Sequence, residues 1–123
     1  MSNPLDIPIE IWLRGDNHAT SDVIAPVPRP PASWTDEDVA AVLKGMLRAL
    51  ERARDPEADP NRAIALRGFS WIVNPFDGGV VIAIELSLGA VVAGPFAVAE
   101  GDLTARIERV MAAGSGALPD RVQ

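Results

Sequence analysis

Between Ala63 and Val98 the chain carries three runs of apolar and β-branched residues separated by turn chemistry. This stretch constrains the fold more than any other. The runs are 64–73, 80–87 and 90–98, and the separators are Asn74-Pro75-Phe76-Asp77-Gly78-Gly79 and Leu88-Gly89. Turn signals at these distances predict consecutive antiparallel hairpins. Val80–Leu86 is apolar on both faces except at Glu85, the pattern of a central strand covered on both sides.

Residues 5–14 add a fourth strand. Leu5, Ile7, Ile9, Ile11 and Leu13 alternate with Asp6, Pro8, Glu10, Trp12 and Arg14, and a period of two is the strand signature. Pro8 lacks a ladder donor, which predicts an edge strand or one that begins as an edge. Residues 15–34 read as a connector. Asp16, Asn17, Thr20, Ser21 and Asp22 favour turns, and Pro26, Pro28, Pro30 and Pro31 predict an extended, stiff strap. Pro28 and Pro31 form a minimal P-x-x-P that an aromatic-lined groove could take. The simpler expectation is a strap lying over its own domain and covering Trp12.

Two helices follow from capping and periodicity. Thr35 and Asp38 form a capping box, with Trp34 and Val39 placed as a hydrophobic staple. Asp36, Glu37 and Asp38 favour the positive end of the helix dipole. Val39, Val42, Leu43, Met46, Leu47 and Leu50 form one stripe, and Asp55-Pro56 ends the helix, predicted over 36–54. Leu103, Ile107, Val110 and Met111 predict a second helix over 102–113, stopped by Gly114. Residues 115–123 read as a flexible tail. The expectation is therefore one α+β domain over 1–114. It has a mostly antiparallel four-stranded sheet in the order β-α-β-β-β-α and two amphipathic helices on one face.

Composition narrows the function. The 123 residues include no cysteine, so thiolate chemistry and disulfides are excluded. A net charge of −6 argues against nucleic-acid binding, where cationic phosphate contacts supply most affinity. The longest uncharged run, 86–99, is too short to span a membrane and contains Gly89, Gly94 and Pro95. The start, Met-Ser-Asn-Pro-Leu-Asp, is not a secretory signal. A cytoplasmic protein is expected.

No catalytic or metal constellation emerges. His18 is the only histidine and has no second ligand at useful spacing. Asp55, Glu57, Asp59 and Asn61 have calcium-loop spacing, but Pro60 and Leu66 stand where glycine and the closing glutamate belong. Ser70 sits in mid-strand without the second glycine of a nucleophile elbow. The glycines at 78, 79, 89 and 94 form no phosphate-binding pattern. No cofactor is expected.

The α-β-β-β-α order over 36–113 resembles that of double-stranded RNA-binding domains. The second helix begins Glu100-Gly101-Asp102-Leu103, the wrong charge for that role. In a small acidic chain the order is also similar to that of secretion-chaperone folds. That likeness is one of element order alone, and order does not give function.

The leading expectation is a non-enzymatic protein-interaction module, of adaptor, chaperone-like or inhibitor type, acting on a larger and basic partner. Its candidate contact residues are Trp12, Arg67 and Trp71, because Trp and Arg dominate interface hot spots. Arg67, Phe69, Trp71 and Val73 are placed on one face of the 64–73 strand, and Leu66, Ser70 and Ile72 on the other. A homodimer is expected, since a mostly apolar sheet needs covering. The alternative is a ligand-binding or enzymatic domain with Glu85 anchoring a helix–sheet pocket, where burial would raise its pKa; the simpler expectation is that the less bulky face of Glu85, with Val81, Ala83 and Ser87, opens to water. A structural subunit without independent activity is the third reading.

Overall fold

The computed structural model describes residues 6–59 and 61–114. Leu5, Pro60 and the tail 115–123 lie outside the described residues. The chain forms β1 (Ile7–Leu13), β2 (Thr20–Ile24), a 3-10 turn at Pro31–Ser33, α1 (Asp36–Arg54), β3 (Ser70–Phe76), β4 (Gly79–Leu86), β5 (Gly89–Phe96) and α2 (Glu100–Gly114). The architecture is α+β, with every strand pairing antiparallel in one sheet of order β2-β1-β5-β4-β3.

The sheet thus has five strands, not four, and the element order is β-β-α-β-β-β-α. The extra strand, β2, lies inside the expected connector. Thr20, Ser21 and Asp22 are poor strand formers in isolation, but pairing with β1 from Ile11↔Thr20 to Ile7↔Ile24 overrides that preference. Packing on α1 helps to hold β2 in place. A Cβ added at Gly45 of α1 would stand 3.2 Å from the Ile24 side chain, so the missing side chain admits the strand. Arg52 of α1 also pairs with Asp22 at 3.2 Å.

β1 is consequently an interior strand, so of the two positions that Pro8 allowed, a full edge strand is overturned and a strand that only begins as an edge fits. Its ladder with β5 runs from Ile9↔Ala93 to Leu13↔Gly89. Pro8 lies one residue beyond that ladder, which reconciles a proline with an interior strand.

The first run of the meander is displaced. β3 begins at Ser70, not near Ile64, because Ser70 already pairs with Glu85 close to the end of β4. Earlier residues have no ladder to join. Leu66 is nevertheless buried, and Ile64 and Phe69 pack against the core from irregular backbone. At its other end β3 extends through Pro75 and Phe76, which sequence reading placed in a loop. The turn is only Asp77-Gly78, with φ of 53° and 84°. Two consecutive residues at positive φ match the twist of a tight two-residue hairpin. Pro75 is tolerated because β3 is an edge strand.

α1 occupies the residues its sequence predicts. The Thr35 hydroxyl accepts from the Asp38 amide at 3.1 Å, and Asp38 accepts from the Thr35 amide at 2.9 Å. Its stripe, Val39, Val42, Leu43, Met46, Leu47 and Leu50, is wholly buried. α2 contributes Leu103, Ile107 and Val110 to the same core. The sheet supplies Ile7, Ile9 and Ile11 from β1, Val73 from β3, Ile82 and Ile84 from β4, and Val91 and Ala93 from β5.

The strap packs on its own domain through Trp34, not Trp12. Trp34 meets Phe96 edge-to-face at 4.9 Å and donates its indole N–H to the Arg29 carbonyl at 3.1 Å. Trp12 stays 37% exposed on the other side of the sheet.

Leu43 is fully buried between helix and sheet. Leu43→Ala is expected to cost about 2–5 kcal/mol, from lost burial and the cavity left behind. Urea unfolding should show a lower midpoint at an unchanged slope.

Candidate docking face

Alternation sends one half of each strand's side chains to the helices and the other half away from them. The registers align the outward half into rows. One row is Ser21–Glu10–Val92–Ala83–Ile72, and the next is Trp12–Ala90–Glu85–Ser70. Val23 and Pro8 on one side, and Val81 and Asn74 on the other, continue the face. No described helix packs on this side.

The exposed large hydrophobic residues are Trp12 at 37%, Val23 at 44%, Ile72 at 52% and Phe76 at 59%, and all four lie on this face. Val81, Ala83, Ala90 and Val92 are half-buried between them. β4 is therefore covered on the helix side alone: the two-sided cover suggested by its apolar run is overturned, and the open face expected around Glu85, Val81 and Ala83 is present.

Size is distributed unevenly. The floor along β5 and β4 carries Ala90, Val92, Gly94, Val81 and Ala83, whereas bulky residues stand on the flanks: Trp12 on β1, Val23 on β2, and Ile72 and Phe76 on β3. The result is a trough. It contains an open hollow of about 580 Å³ bordered by Trp12, Val23 and Phe76, and a second of about 300 Å³ beside Ile72 and Glu85.

The structure separates the residues singled out from the sequence. Trp12 lies on the open face. Trp71 belongs to the opposite, helix-facing side of β3 and packs against the core. Arg67 is exposed in the irregular segment before β3 and lies on no strand. The three form no common surface, and β5 and β4 intervene between the strands of Trp12 and Trp71. Glu85 is exposed on the open face, not enclosed between helix and sheet, so the helix–sheet pocket proposed around it is not formed.

Ile72, Phe76, Val23 and Glu10 complete the face. The outward position of Ile72 was legible from alternation. Phe76 and Val23 were not, because each lay in a segment read as irregular.

The other candidate sites are also resolved. His18 is exposed in the β1–β2 connection. Among the described residues no three His, Asp or Glu side chains are grouped to hold a metal. In the 55–61 loop, Asp55 accepts from the Glu57 amide at 3.1 Å and Asp59 from the Asn61 amide at 2.9 Å. These carboxylates stabilise their own turns. No described helix is long and apolar enough to cross a membrane.

Ion pairs concentrate away from the open face. Arg29–Asp38, Arg52–Asp22, Arg62–Glu51 and Arg109–Asp36 each include a residue of α1. Arg109 reaches from α2 and engages Asp36 through both Nε and Nη2, at 3.0 and 2.9 Å. This hydrogen bonding, with the positive charge behind it, holds the Asp36 carboxyl below its ordinary value. Because the folded pKa is lowered, the stabilisation is complete above the unfolded carboxylate pKa, about 4, and is lost as pH falls through the folded value. Asp36→Asn is expected to lower the urea midpoint at pH 7, with the gap from wild type closing as pH falls below about 4.

Exposed side chains on the trough contribute little to folding. Phe76→Ser should change unfolding free energy by less than about 1 kcal/mol, in contrast to Leu43→Ala. It should also reduce binding of a hydrophobic dye to the native protein, which native-state fluorescence titration reads directly.

Comparison with known protein families, with curated proteins and with solved structures finds no match for this chain.

Proposed function

We propose that this protein is a non-enzymatic interaction module that docks another protein on the open face of its sheet. One observation carries the reading: the exposed large apolar side chains Trp12, Val23, Ile72 and Phe76 share a single face with no described covering layer. Scattered surface hydrophobics need no explanation, but a contiguous apolar patch rimmed by polar groups is the mark of an interaction site. The adaptor, chaperone-like and inhibitor roles all use such a surface. The charge of −6 adds long-range attraction toward a basic partner.

This reading shifts the contact residues. Trp12 is retained, Ile72 and Phe76 replace Trp71, and Arg67 has no place on the face. A second copy of the chain is the competing occupant, since the same surface could close a dimer.

Ile72→Glu places a charge at the rim without disturbing the core. Sedimentation of wild type and variant, with affinity capture by each from the same lysate, tests the proposal. A partner held stoichiometrically by wild type and lost by Ile72→Glu is the expected result. A monomeric wild type whose captured proteins are identical to those of the variant would overturn the reading.

A further inference from the structure

We infer that the occupant of the trough is a basic amphipathic helix of a partner protein, read through its apolar stripe and through Lys or Arg on both sides of it. The inference rests on the docking role proposed above and adds the chemistry of the partner.

Charge is the first argument. Of the strand residues on the open face, only Glu10 and Glu85 are charged, and both are negative. The ion pairs found among the described residues include neither of them. Two carboxylates beside an apolar floor favour a ligand that brings cations, and they penalise one that brings carboxylates.

Shape is the second. The flanks, β1 and β3, are three strand spacings apart in the sheet, roughly 14 Å at the usual spacing. A helix with its side chains is about 10–12 Å across. The small floor of Ala90, Val92, Gly94, Val81 and Ala83 leaves room for its ridge, while Trp12 and Ile72 close on its sides.

Like charge is the third. A second copy docked on this face would bring four glutamates into one interface, a cost that a cationic helix avoids. A helix of about four turns matches the length of the trough, roughly 20 Å.

The register places the cations. Glu10 and Glu85 are two strands and one row apart. That is roughly 10 Å across the trough and 7 Å along it. On a helix, residues five apart are separated by about 7.5 Å along the axis and lie on opposite flanks of a stripe. The ligand therefore carries Lys or Arg at i and i+5, bracketing its apolar residues.

The test uses two synthetic peptides of about 16 residues. Both have a leucine stripe, one with flanking lysines and the other with flanking glutamates. Calorimetry gives the affinity, and amide chemical shifts locate the site. The Leu/Lys peptide is expected to bind one-to-one with shifts on β4 and β5, and the Leu/Glu peptide to bind far more weakly. Glu10→Gln with Glu85→Gln should weaken the Leu/Lys peptide roughly tenfold. Glu57→Gln with Glu108→Gln, which changes net charge equally on other exposed surfaces, should leave affinity within about twofold. Glu10→Lys with Glu85→Lys should reverse the preference.

Equal binding of both peptides on the trough, or equal weakening by the control pair, would overturn the basic-helix inference and leave the docking face standing. A wild-type dimer that Ile72→Glu dissociates, with no peptide bound, would do the same and assign the face to a second copy. No binding by a monomeric wild type, or shifts only on the helical layer, would remove both.

Discussion

Packing of the helices on one side of the sheet is the constraint from which the rest follows. The rows Ile9–Ala93–Ile82–Val73 and Ile11–Val91–Ile84–Trp71 run across β1, β5, β4 and β3 and meet the stripes of α1 and α2. Among the described residues that core buries no polar or charged side chain. Without cysteines there is no covalent staple, so burial of apolar surface must offset the chain entropy lost on folding. Both helices are used for this, and nothing described is left to cover the other side of the sheet.

The same division sorts the charges. α1 is the hub for ion pairs: Asp36, Asp38, Glu51 and Arg52 reach α2, the strap, the 55–69 segment and β2 respectively. Exposed pairs of this kind add little stability individually, but they fix how peripheral segments lie against the helix. Glu10 and Glu85 project from the opposite side and belong to none of these pairs. Their electrostatic influence is directed at whatever approaches the trough. In the proposed reading, the acidic, apolar face serves recognition and the ion-paired helical layer serves architecture.

Much of this was legible locally. α1 was visible because cap, staple, dipole charges and stripe all agree within one segment, and such consistency across levels makes an element predictable. The alternation of β1 was similarly self-contained, whereas the turn between β3 and β4 was placed correctly but read as six residues, not the two that the ladder leaves. β2 was not legible, since Thr20-Ser21-Asp22 has turn chemistry and becomes a strand only beside β1 and Gly45. The start of β3 was set by where β4 ends, a fact about the partner strand. Glu85 illustrates the limit for the site: alternation identified its face, but not whether that face would be covered.

By itself, the sequence determined the antiparallel meander, the two amphipathic helices, and the absence of thiol chemistry. These depend on periodicity, turn residues and composition, all of them properties of neighbouring positions. Only the tertiary structure decided the fifth strand, the interior place of β1, and the union of Trp12, Val23, Ile72 and Phe76 on one face. Those residues lie on three strands, β1, β2 and β3, from different parts of the chain. Ladder pairing and helix packing, not local preference, determine which side of each strand meets the core and which is left open.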